Sequence, residues 1–377
     1  MKFEKLTAYL DGLHNHGTPA CEMLIYKNHE LIYHHTAGFS DYEKTKPANE
    51  NDIYNIFSNT KVITVVAGMQ LIEKGLINLF DPLSKYIPEF SNMTYKKGDK
   101  LLPCKNTITV YNLFTMTAGF DYDAFPELIE FVKNNPNAGT LDIIKAYAKM
   151  PLCFEPGSRW KYSLGIDVLG GLIEVVSGMT LGEYFNKYIF EPLGMEDISF
   201  NLNNKDLSKR LSAFYEDKGG ISVPNSESRN RMSILFDKFE SGGGGIITTA
   251  KAYALFLDAL ANNGIGKTGK QILSPASIEQ IKCPQLDSNM SAQFAYSHCK
   301  MGYNYGFGVR TLTDKSFGAR SPIGEFGWDG YTGGYGLVDT DNNIAICYME
   351  NVGNHLYAWR SIFPDTRDII YEELGIE

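Results

Sequence analysis

Residues 58–74 read SNTKVITVVAGMQLIEK. Apolar side chains recur at positions 62, 65, 66, 69 and 72, which is the spacing of one helix face, and Gly75 follows where a helix commonly ends. The stretch therefore predicts a helix from about Ser58 to Lys74 that buries apolar side chains in a core. Its first residue is a serine, and a lysine follows three residues later.

The pattern S-x-x-K occurs three times in the chain, as Ser58/Lys61, Ser158/Lys161 and Ser297/Lys300. The second copy follows a Pro-Gly turn, and the third lies in a polar segment without helical or strand periodicity. Only the first copy opens an apolar helix. The tetrapeptide alone favours a simpler interpretation, in which Ser58 caps the helix and Lys61 lies at the surface.

Residues three apart on a helix share one face, so the Lys61 amine comes within reach of the Ser58 hydroxyl. Backbone N–H groups at the start of a helix can also stabilise an oxyanion on an acyl group attached there. This combination indicates nucleophilic catalysis, with Ser58 as nucleophile and Lys61 as its base.

Two other segments carry candidate site residues. Residues 154–170, FEPGSRWKYSLGIDVLG, place Tyr162 in a loop just before a predicted helix. Residues 327–334, GWDGYTGG, lead into a predicted C-terminal hairpin. Taken singly, Tyr162 is more typical of a packed aromatic side chain than of a catalytic one, and Trp328 is as typical of a core residue as of a site residue.

In this order the three segments resemble the motifs of the serine β-lactamase and penicillin-binding-protein superfamily. The resemblance is closer to class C-type members, which include β-lactamase-like carboxylesterases, DD-peptidases and D-aminopeptidases. It extends over residues 18–352 and includes the supporting segments 108–119, ITVYNLFTMTAG, and 241–249, SGGGGIITT.

The resemblance implies that Ser58 forms an acyl-enzyme and that Lys61 and Tyr162 share the general-base and general-acid steps. It places the oxyanion hole at the backbone N–H groups of Ser58 and Tyr331. It implies a small-molecule ester or amide substrate, with no metal and no cofactor.

The sequence departs from the superfamily's pattern at the second and third motifs. The Y-x-N of class C β-lactamases is Tyr162-Ser-Leu164 here, and their K-T-G is Trp328-Asp329-Gly330. Both changes are typical of the esterase and acyltransferase branch, in which Leu164, Trp328, Asp329 and Gly330 are the expected substrate-binding positions. We therefore expect a carboxylesterase with weak or no β-lactamase activity.

Asp329 is the reason for a second candidate activity. If its carboxylate faces the cleft, it disfavours anionic acyl groups and favours an amine, which suits a D-amino-acid peptidase or amidase. Acyl transfer to an alcohol is a further alternative, because any nucleophile that outcompetes water can intercept an acyl-enzyme. A non-catalytic, penicillin-binding-like sensor is the third, and the complete set of Ser58, Lys61 and Tyr162 counts against it.

Strands are predicted near both chain ends and helices in the middle. The predicted hairpins are 21–27 with 30–38 and 331–338 with 344–349, and the predicted helices include 166–178, a helix opening at the Thr180 capping box, 250–260 and a final one near 362–374. This order predicts an α/β (α+β) fold of the β-lactamase/transpeptidase-like type. A central antiparallel sheet would be flanked by helices, with an inserted, mostly helical domain.

The same order predicts the domain boundaries. Residues 1–80 and 245–377 would form the sheet domain, and residues 81–244 the insertion. The site would lie between them in a single catalytic unit.

Three apparent ligand motifs favour structural interpretations. Gly266-Lys-Thr lacks the earlier glycine of a phosphate loop, because position 261 is alanine. The acidic series that begins at Asp339 has Ile344 where a calcium loop needs glycine, so a hairpin turn is expected. The glycines at 242–245 are interpreted as a tight packing turn rather than an anion cradle.

Composition restricts which partners and which cellular compartment we expect for the protein. The chain has 377 residues, and 35 basic against 44 acidic residues leave a net charge of −9 with no basic block, which disfavours nucleic acid. No apolar stretch reaches the length of a membrane helix, and the N-terminus lacks the pattern of a secretory signal. The six scattered cysteines are typical of reduced thiols. We therefore expect a cytoplasmic protein without a membrane partner.

Overall fold

The computed structural model describes residues 3–200, 205–226 and 238–376. The predicted insertion at 81–244 includes residues 201–204 and 227–237, which lie outside the described residues, as do residues 1, 2 and 377 of the predicted sheet domain. The strands are β1 (Ala20–Lys27), β2 (Glu30–Gly38), β3 (Ile53–Asn55), β4 (Thr94–Lys97), β5 (Lys100–Pro103), β6 (Ile198–Ser199), β7 (Tyr215–Asp217), β8 (Ser222–Pro224), β9 (Ile247–Thr249), β10 (Tyr303–Tyr305), β11 (Arg310–Leu312), β12 (Phe326–Gly327), β13 (Tyr335–Asp339), β14 (Ile344–Glu350) and β15 (Val352–Gly353). The helices are α1 (Glu4–Gly12), α2 (Thr60–Glu73), α3 (Val110–Phe114), α4 (Phe125–Asn134), α5 (Thr140–Tyr147), α6 (Gly165–Ser177), α7 (Leu181–Phe185), α8 (Glu191–Leu193), α9 (Lys205–Ser208), α10 (Ala250–Ala261), α11 (Pro275–Lys282), α12 (Ser288–His298) and α13 (Phe363–Leu374).

The centre of the fold is a seven-stranded antiparallel sheet in the order β10-β11-β12-β13-β14-β1-β2. The N-terminal hairpin β1–β2 turns at Asn28 and His29, whose φ values of 51° and 67° match the two-residue turns that suit twisted strands. Pairing of β1 with β14 joins this hairpin to the C-terminal strands. The prediction of one antiparallel sheet built from both chain ends and flanked by helices is confirmed.

Helices cover both faces of this sheet. Along β1, Met23 and Ile25 pack into one core with α1 and α13, whereas Leu24 and Tyr26 pack into the larger core on the other face with α10. Both sets of side chains are buried, which explains why residues 23–26 are a continuous apolar run rather than an alternation of apolar and polar residues.

Helix α2 lies inside the larger core, and its residues 60–71 are buried. At Gly68 an added Cβ would lie 2.7 Å from the ring of Phe114, so the glycine allows close packing of α2. The predicted helix is confirmed, although it begins at Thr60 because residues 57–59 form a separate 3₁₀ turn. A helix buried on all sides holds the residues at its start in a fixed place.

The second predicted hairpin differs from the structure at its start, because its first strand begins at Tyr335 rather than at residue 331. Residues 330–334 form a turn instead, in which the Gly330 N–H donates to the Gly334 carbonyl. Gly333 has a φ of 81°, which extended strands do not adopt. The third motif is therefore a loop that precedes β13.

The larger core contains side chains from both predicted domains, such as Val65 of α2 and Leu169 of α6. The division at residues 80/81 and 244/245 stays a prediction.

Within the described parts of the chain, no single helix is long and apolar enough to cross a membrane. Helix α6 and residues 181–193 reach that length and composition only as a pair bent by 78°.

Candidate active site

Ser58 lies in the 3₁₀ turn that precedes α2, and Lys61 lies in the first turn of α2. The Lys61 Nζ donates to the Ser58 Oγ at 3.1 Å. Helix α2 has Asn59 at its N-cap position, so Ser58 is not the cap, and Lys61 is 0% exposed. The alternative of a capping serine followed by a surface lysine is therefore wrong on both points.

The backbone before Ser58 is in an unusual conformation. Phe57 has a φ of 43°, the left-handed region that bulky residues rarely adopt. Its ring packs against the rings of Phe214 and Tyr331, with centroids 6.3 and 5.5 Å away. Such strain persists only where surrounding packing fixes it, and it commonly marks a functional site.

Lys61 is held by three acceptors. Its Nζ donates to Ser58 Oγ, to the Tyr122 hydroxyl at 3.0 Å and to the Gly243 carbonyl at 2.5 Å, which uses all three donors of an ammonium group. The same nitrogen lies 4.7 Å from the ring centroid of Tyr162. Burial raises the pKa of Tyr122 well above its ordinary value, so Tyr122 contributes a neutral phenol.

The Gly243 carbonyl is itself held in place by a buried carboxylate. Asp167 of α6 accepts hydrogen bonds from the Gly243 N–H at 3.1 Å and from the Ser241 hydroxyl at 2.5 Å. Burial raises the pKa of Asp167, although the charge of Lys61 opposes that rise. The glycine run is therefore a packing turn, as predicted, and it also supplies an acceptor to Lys61.

Tyr162 lies in the loop before α6 and is half-buried. Its hydroxyl oxygen accepts a hydrogen bond from the indole Nε1 of Trp328 at 3.0 Å, and the two rings stack with centroids 5.5 Å apart. The structure thus brings together the second and third motifs, and it places Tyr162 of the second motif beside Lys61.

The loop that carries Tyr331 is fastened to the segment before Ser58. Thr332 Oγ1 donates to the Asn55 carbonyl at 2.8 Å, and a Cβ added at Gly330 would lie 2.6 Å from the Ile56 carbonyl. In the described chain, neither the Ser58 nor the Tyr331 N–H donates a hydrogen bond to another residue. The unpaired N–H groups of Ser58 and Tyr331 thus lie on two segments that contact each other.

Asp329 does not offer a free carboxylate. One oxygen accepts from the Arg310 guanidinium at 3.0 Å, and the other forms an ion pair with the Lys300 ammonium. Burial alone would raise the pKa of Asp329, but the Lys300 and Arg310 charges outweigh it and hold this pKa below its ordinary value. The expectation that Asp329 favours an amine is therefore corrected, because two cations already neutralise it.

The three S-x-x-K copies differ in what their lysines contact. Lys161 forms an ion pair with Asp121, and Lys300 forms one with Asp329. Among the described residues, only Lys61 donates to the serine of its own pattern.

A cavity of 310 Å³ lies beside these groups. It is lined by Ser58 and Tyr162, by residues 297–300, by residues 328–331 and by Leu356, Trp359 and Arg360. Leu164, a predicted substrate-binding residue, is 2% exposed in the larger core and does not line it. Three larger hollows, of 610, 550 and 500 Å³, contain none of the predicted site residues.

His298, at the end of α12, was missed by the sequence prediction. Its ring packs edge-on against Tyr162 and Trp160, with centroids 4.9 and 5.0 Å away. Burial lowers the pKa of His298 to about 4, so the imidazole is neutral near pH 7. The only available signal was its place in the third S-x-x-K segment, which lacks periodicity.

Tyr122 and Gly243 were also missed as partners of Lys61, and Asp167 was missed as the residue that holds Gly243. The run of four glycines was a signal that a chain segment approaches closely there. Tyr122 begins a 3₁₀ turn, Tyr122–Ala124, in a segment whose side chains show no pattern in the sequence.

Known proteins resemble this chain over most of its length. The sequence profile of the family described as Beta-lactamase matches residues 4–357. Esterase EstB of Burkholderia gladioli is 25% identical over 354 residues, with 87% of this chain and 84% of EstB aligned. The acyltransferase calJ of Penicillium decumbens is 31% identical, with 68% of this chain and 63% of calJ aligned. The solved structure of EstCE1, described as a hydrolase with promiscuous acyltransferase activity, superimposes with a TM-score of 0.81 at 22% identity and covers 98% of both chains.

Proposed function

The chain belongs to the beta-lactamase family, whose members include serine hydrolases, and on this premise we propose that it is a carboxylesterase that forms an acyl-enzyme on Ser58. The observation that carries the proposal is the 3.1 Å hydrogen bond between Lys61 Nζ and Ser58 Oγ at the edge of an aromatic-lined cavity. A hydroxyl becomes an effective nucleophile when a base lies within hydrogen-bond reach.

In the acylation step, the Lys61 and Tyr162 pair begins one proton short, as a neutral amine or a phenolate, and it takes the Ser58 proton while Ser58 Oγ attacks the ester carbonyl. The same pair returns the proton to the departing alkoxide, which leaves as an alcohol. The indole N–H of Trp328 points at the Tyr162 oxygen and stabilises negative charge that develops there. Water then attacks the acyl group on Ser58, and the acid product leaves.

The N–H groups of Ser58 and Tyr331 form the proposed oxyanion hole. Both are unpaired among the described residues, and the contacts of Gly330 and Thr332 with residues 55–56 hold the two segments together. Each such donor contributes roughly 10²–10³-fold to turnover in comparable sites.

The third motif supports an ester substrate over a β-lactam or a D-amino acid amide. Trp328 stands at the position of the K-T-G lysine, which would hold a substrate carboxylate. Its indole N–H instead donates to the Tyr162 hydroxyl. Asp329 is neutralised by Lys300 and Arg310, so it has no free charge for a substrate ammonium.

Acyl transfer to an alcohol is the second candidate function, which the 31% identity to calJ, a named acyltransferase, favours. The two activities share the acyl-enzyme and differ in the nucleophile that removes the acyl group. Adding a primary alcohol to a p-nitrophenyl ester assay separates them, because transfer yields the new ester whereas hydrolysis yields only the acid.

A fluorophosphonate probe tests the proposed nucleophile. We expect one adduct per chain, located on Ser58 by peptide mass mapping, and no adduct in Ser58→Ala. Labelling of another serine with Ser58 unmodified would refute the assignment. A panel of p-nitrophenyl esters, D-aminoacyl nitroanilides and a chromogenic cephalosporin then ranks the substrate classes, with esters expected first.

We further propose that the protein works in the cytoplasm. All six cysteines are free thiols, the state that a reducing compartment maintains. Titration of the denatured, unreduced protein taken from its native cells should find six thiols per chain, and a lower count would contradict the proposal.

A further inference from the structure

The charged side chains at the cavity differ in whether they form ion pairs and hydrogen bonds with other residues. Asp329 is the carboxylate in the cavity wall, and both of its oxygens are taken by Lys300 and Arg310. These three side chains carry two positive charges and one negative charge. The carboxylate of Glu216 lies beyond them and accepts a hydrogen bond from the Tyr331 hydroxyl at 2.8 Å.

Neither His298 nor Lys61 supplies a free charge to a substrate near pH 7. Burial lowers the pKa of His298 to about 4, so its ring in the cavity wall is neutral. Lys61 is fully buried and has acceptors for all three of its donors.

Arg360 differs from all of these groups. It lines the cavity and is exposed, and its side chain forms no ion pair or hydrogen bond with another residue in the described parts of the chain. It lies in a π-helical turn, Ala358–Ile362, which directly precedes α13. Single π-helical turns inside helices are frequent at functional sites, because the extra residue turns a side chain away from its regular place.

The wall beside Arg360 is apolar. Leu356 and Trp359 line the cavity from the same segment, and Trp328 and Tyr331 line it from the third motif. A guanidinium in such a setting has a planar pair of donors that matches a carboxylate. The cavity therefore combines an apolar surface with one unpaired cation at its edge.

We propose that this cavity selects esters whose acyl group carries a carboxylate, and that Arg360 binds that carboxylate while Ser58 attacks the ester carbonyl. The inference rests on the proposed esterase function and adds the class of its substrate. It also reverses the sequence-based expectation for Asp329, which was that the site disfavours anionic acyl groups.

A matched pair of substrates tests the inference. p-Nitrophenyl hydrogen glutarate carries a carboxylate, and methyl p-nitrophenyl glutarate has the same chain with that charge removed. In the unmodified protein we expect the kcat/KM for the acid to exceed that for the methyl ester by about tenfold, a typical effect of one charged hydrogen bond. In Arg360→Gln we expect this ratio to fall to about one, mainly through KM for the acid.

Arg320→Gln is the matched control. Arg320 is an exposed arginine outside the cavity, so this variant has the same change in net charge. We expect it to keep the unmodified protein's ratio. A ratio that is near one in the unmodified protein, or that Arg360→Gln leaves unchanged, would overturn the inference and leave the esterase proposal standing.

A binding measurement makes the test independent of turnover. Glutarate is the acid product, and its binding should change the fluorescence of Trp328 and Trp359, which line the cavity. We expect saturable binding that weakens at least fivefold in Arg360→Gln and stays unchanged in Arg320→Gln. If neither ester is hydrolysed but glutarate binding depends on Arg360, the esterase proposal fails and the carboxylate site stands. Glutarate binding that is absent, or equal in all three proteins, overturns the site.

Discussion

Lys61 is the residue on which the proposed chemistry depends, because its nitrogen contacts Ser58, Tyr122 and Gly243 while its side chain is fully buried. Lys61→Met keeps most of the side-chain volume and removes the amine. We expect the kcat for a p-nitrophenyl ester to fall by roughly 10²–10⁴-fold, the usual contribution of a general base, with the circular dichroism spectrum unchanged.

Lys74→Met is the matched control for this experiment. Lys74 ends the same helix, is exposed and contacts the Tyr188 ring rather than the site. It should retain normal turnover. Normal turnover in Lys61→Met would refute the base role.

His298 gives the site a predictable dependence of stability on pH. Burial lowers the pKa of His298 from 6.5 to about 4 in the folded protein, so between these values the unfolded chain binds a proton that the folded chain does not. The free energy of unfolding should therefore fall as the pH drops from 6.5 to 4, by up to about 3 kcal/mol from this group.

His298→Phe removes this titration and keeps an aromatic ring against Tyr162. Urea unfolding at pH 7 and at pH 4.5 measures the effect. We expect the loss of stability between these two pH values to be smaller in His298→Phe than in the unmodified protein, and an equal loss in both would contradict the assignment.

At the scale of elements, the glycine turn at 242–245 connects packing to the site. A Cβ at Gly243 would overlap the Asp167 carboxylate, whereas a Cβ at Gly244 would find its nearest neighbour, the Phe57 backbone, at 3.7 Å. We expect Gly243→Ala to lower the free energy of unfolding by about 1–3 kcal/mol, as overpacking does, and to lower kcat by moving the carbonyl that holds Lys61.

Gly244→Ala, one residue along the same turn, should remain close to the unmodified protein in both measurements. Thermal unfolding and ester turnover of the two variants provide the comparison. Equal effects of the two substitutions would show that the contact with Asp167 does not position Gly243.

The elements that local pattern determines could be predicted from the sequence. Helix α2, the hairpin at Asn28 and the capping box at Thr180 follow from periodicity and turn chemistry, and the structure confirms them. The turn at Asp339 predicts a hairpin whose first strand begins at Tyr331, whereas the hydrogen bond from the Gly330 N–H to the Gly334 carbonyl makes residues 330–334 a turn.

Within the candidate site, sequence spacing could predict only the pair that shares a helix face. Ser58 and Lys61 meet because of their separation of three residues on one helix turn. Tyr122 and Gly243 reach Lys61, and Asp167 reaches Gly243, through tertiary packing, which no local pattern encodes. The neutralisation of Asp329 depends on Lys300 and Arg310, which lie on other elements.

At the scale of the whole molecule, the larger core runs through both predicted domains. Helix α2 of the first packs against α6 of the second, with Gly68 close to Leu169. We expect thermal unfolding to give one transition that coincides in far-ultraviolet circular dichroism and tryptophan fluorescence. Two separated transitions would contradict a single cooperative unit.

The net charge of the molecule is negative, whereas the charge around the cavity is positive. The chain carries a net charge of −9, yet Lys300, Arg310 and Arg360 outnumber Asp329 around the cavity. A local excess of positive charge attracts an anionic substrate even in an acidic protein, and salt screens that attraction.

The central claim is that an ester acylates Ser58. Rapid mixing with a p-nitrophenyl ester, followed by acid quenching and peptide mass mapping, measures this directly. We predict an early release of about one p-nitrophenolate per chain, wherever deacylation is the slower step, and an acyl adduct on the peptide that contains Ser58. Turnover that persists in Ser58→Ala, or an adduct on Ser297 in the same cavity, would contradict the account.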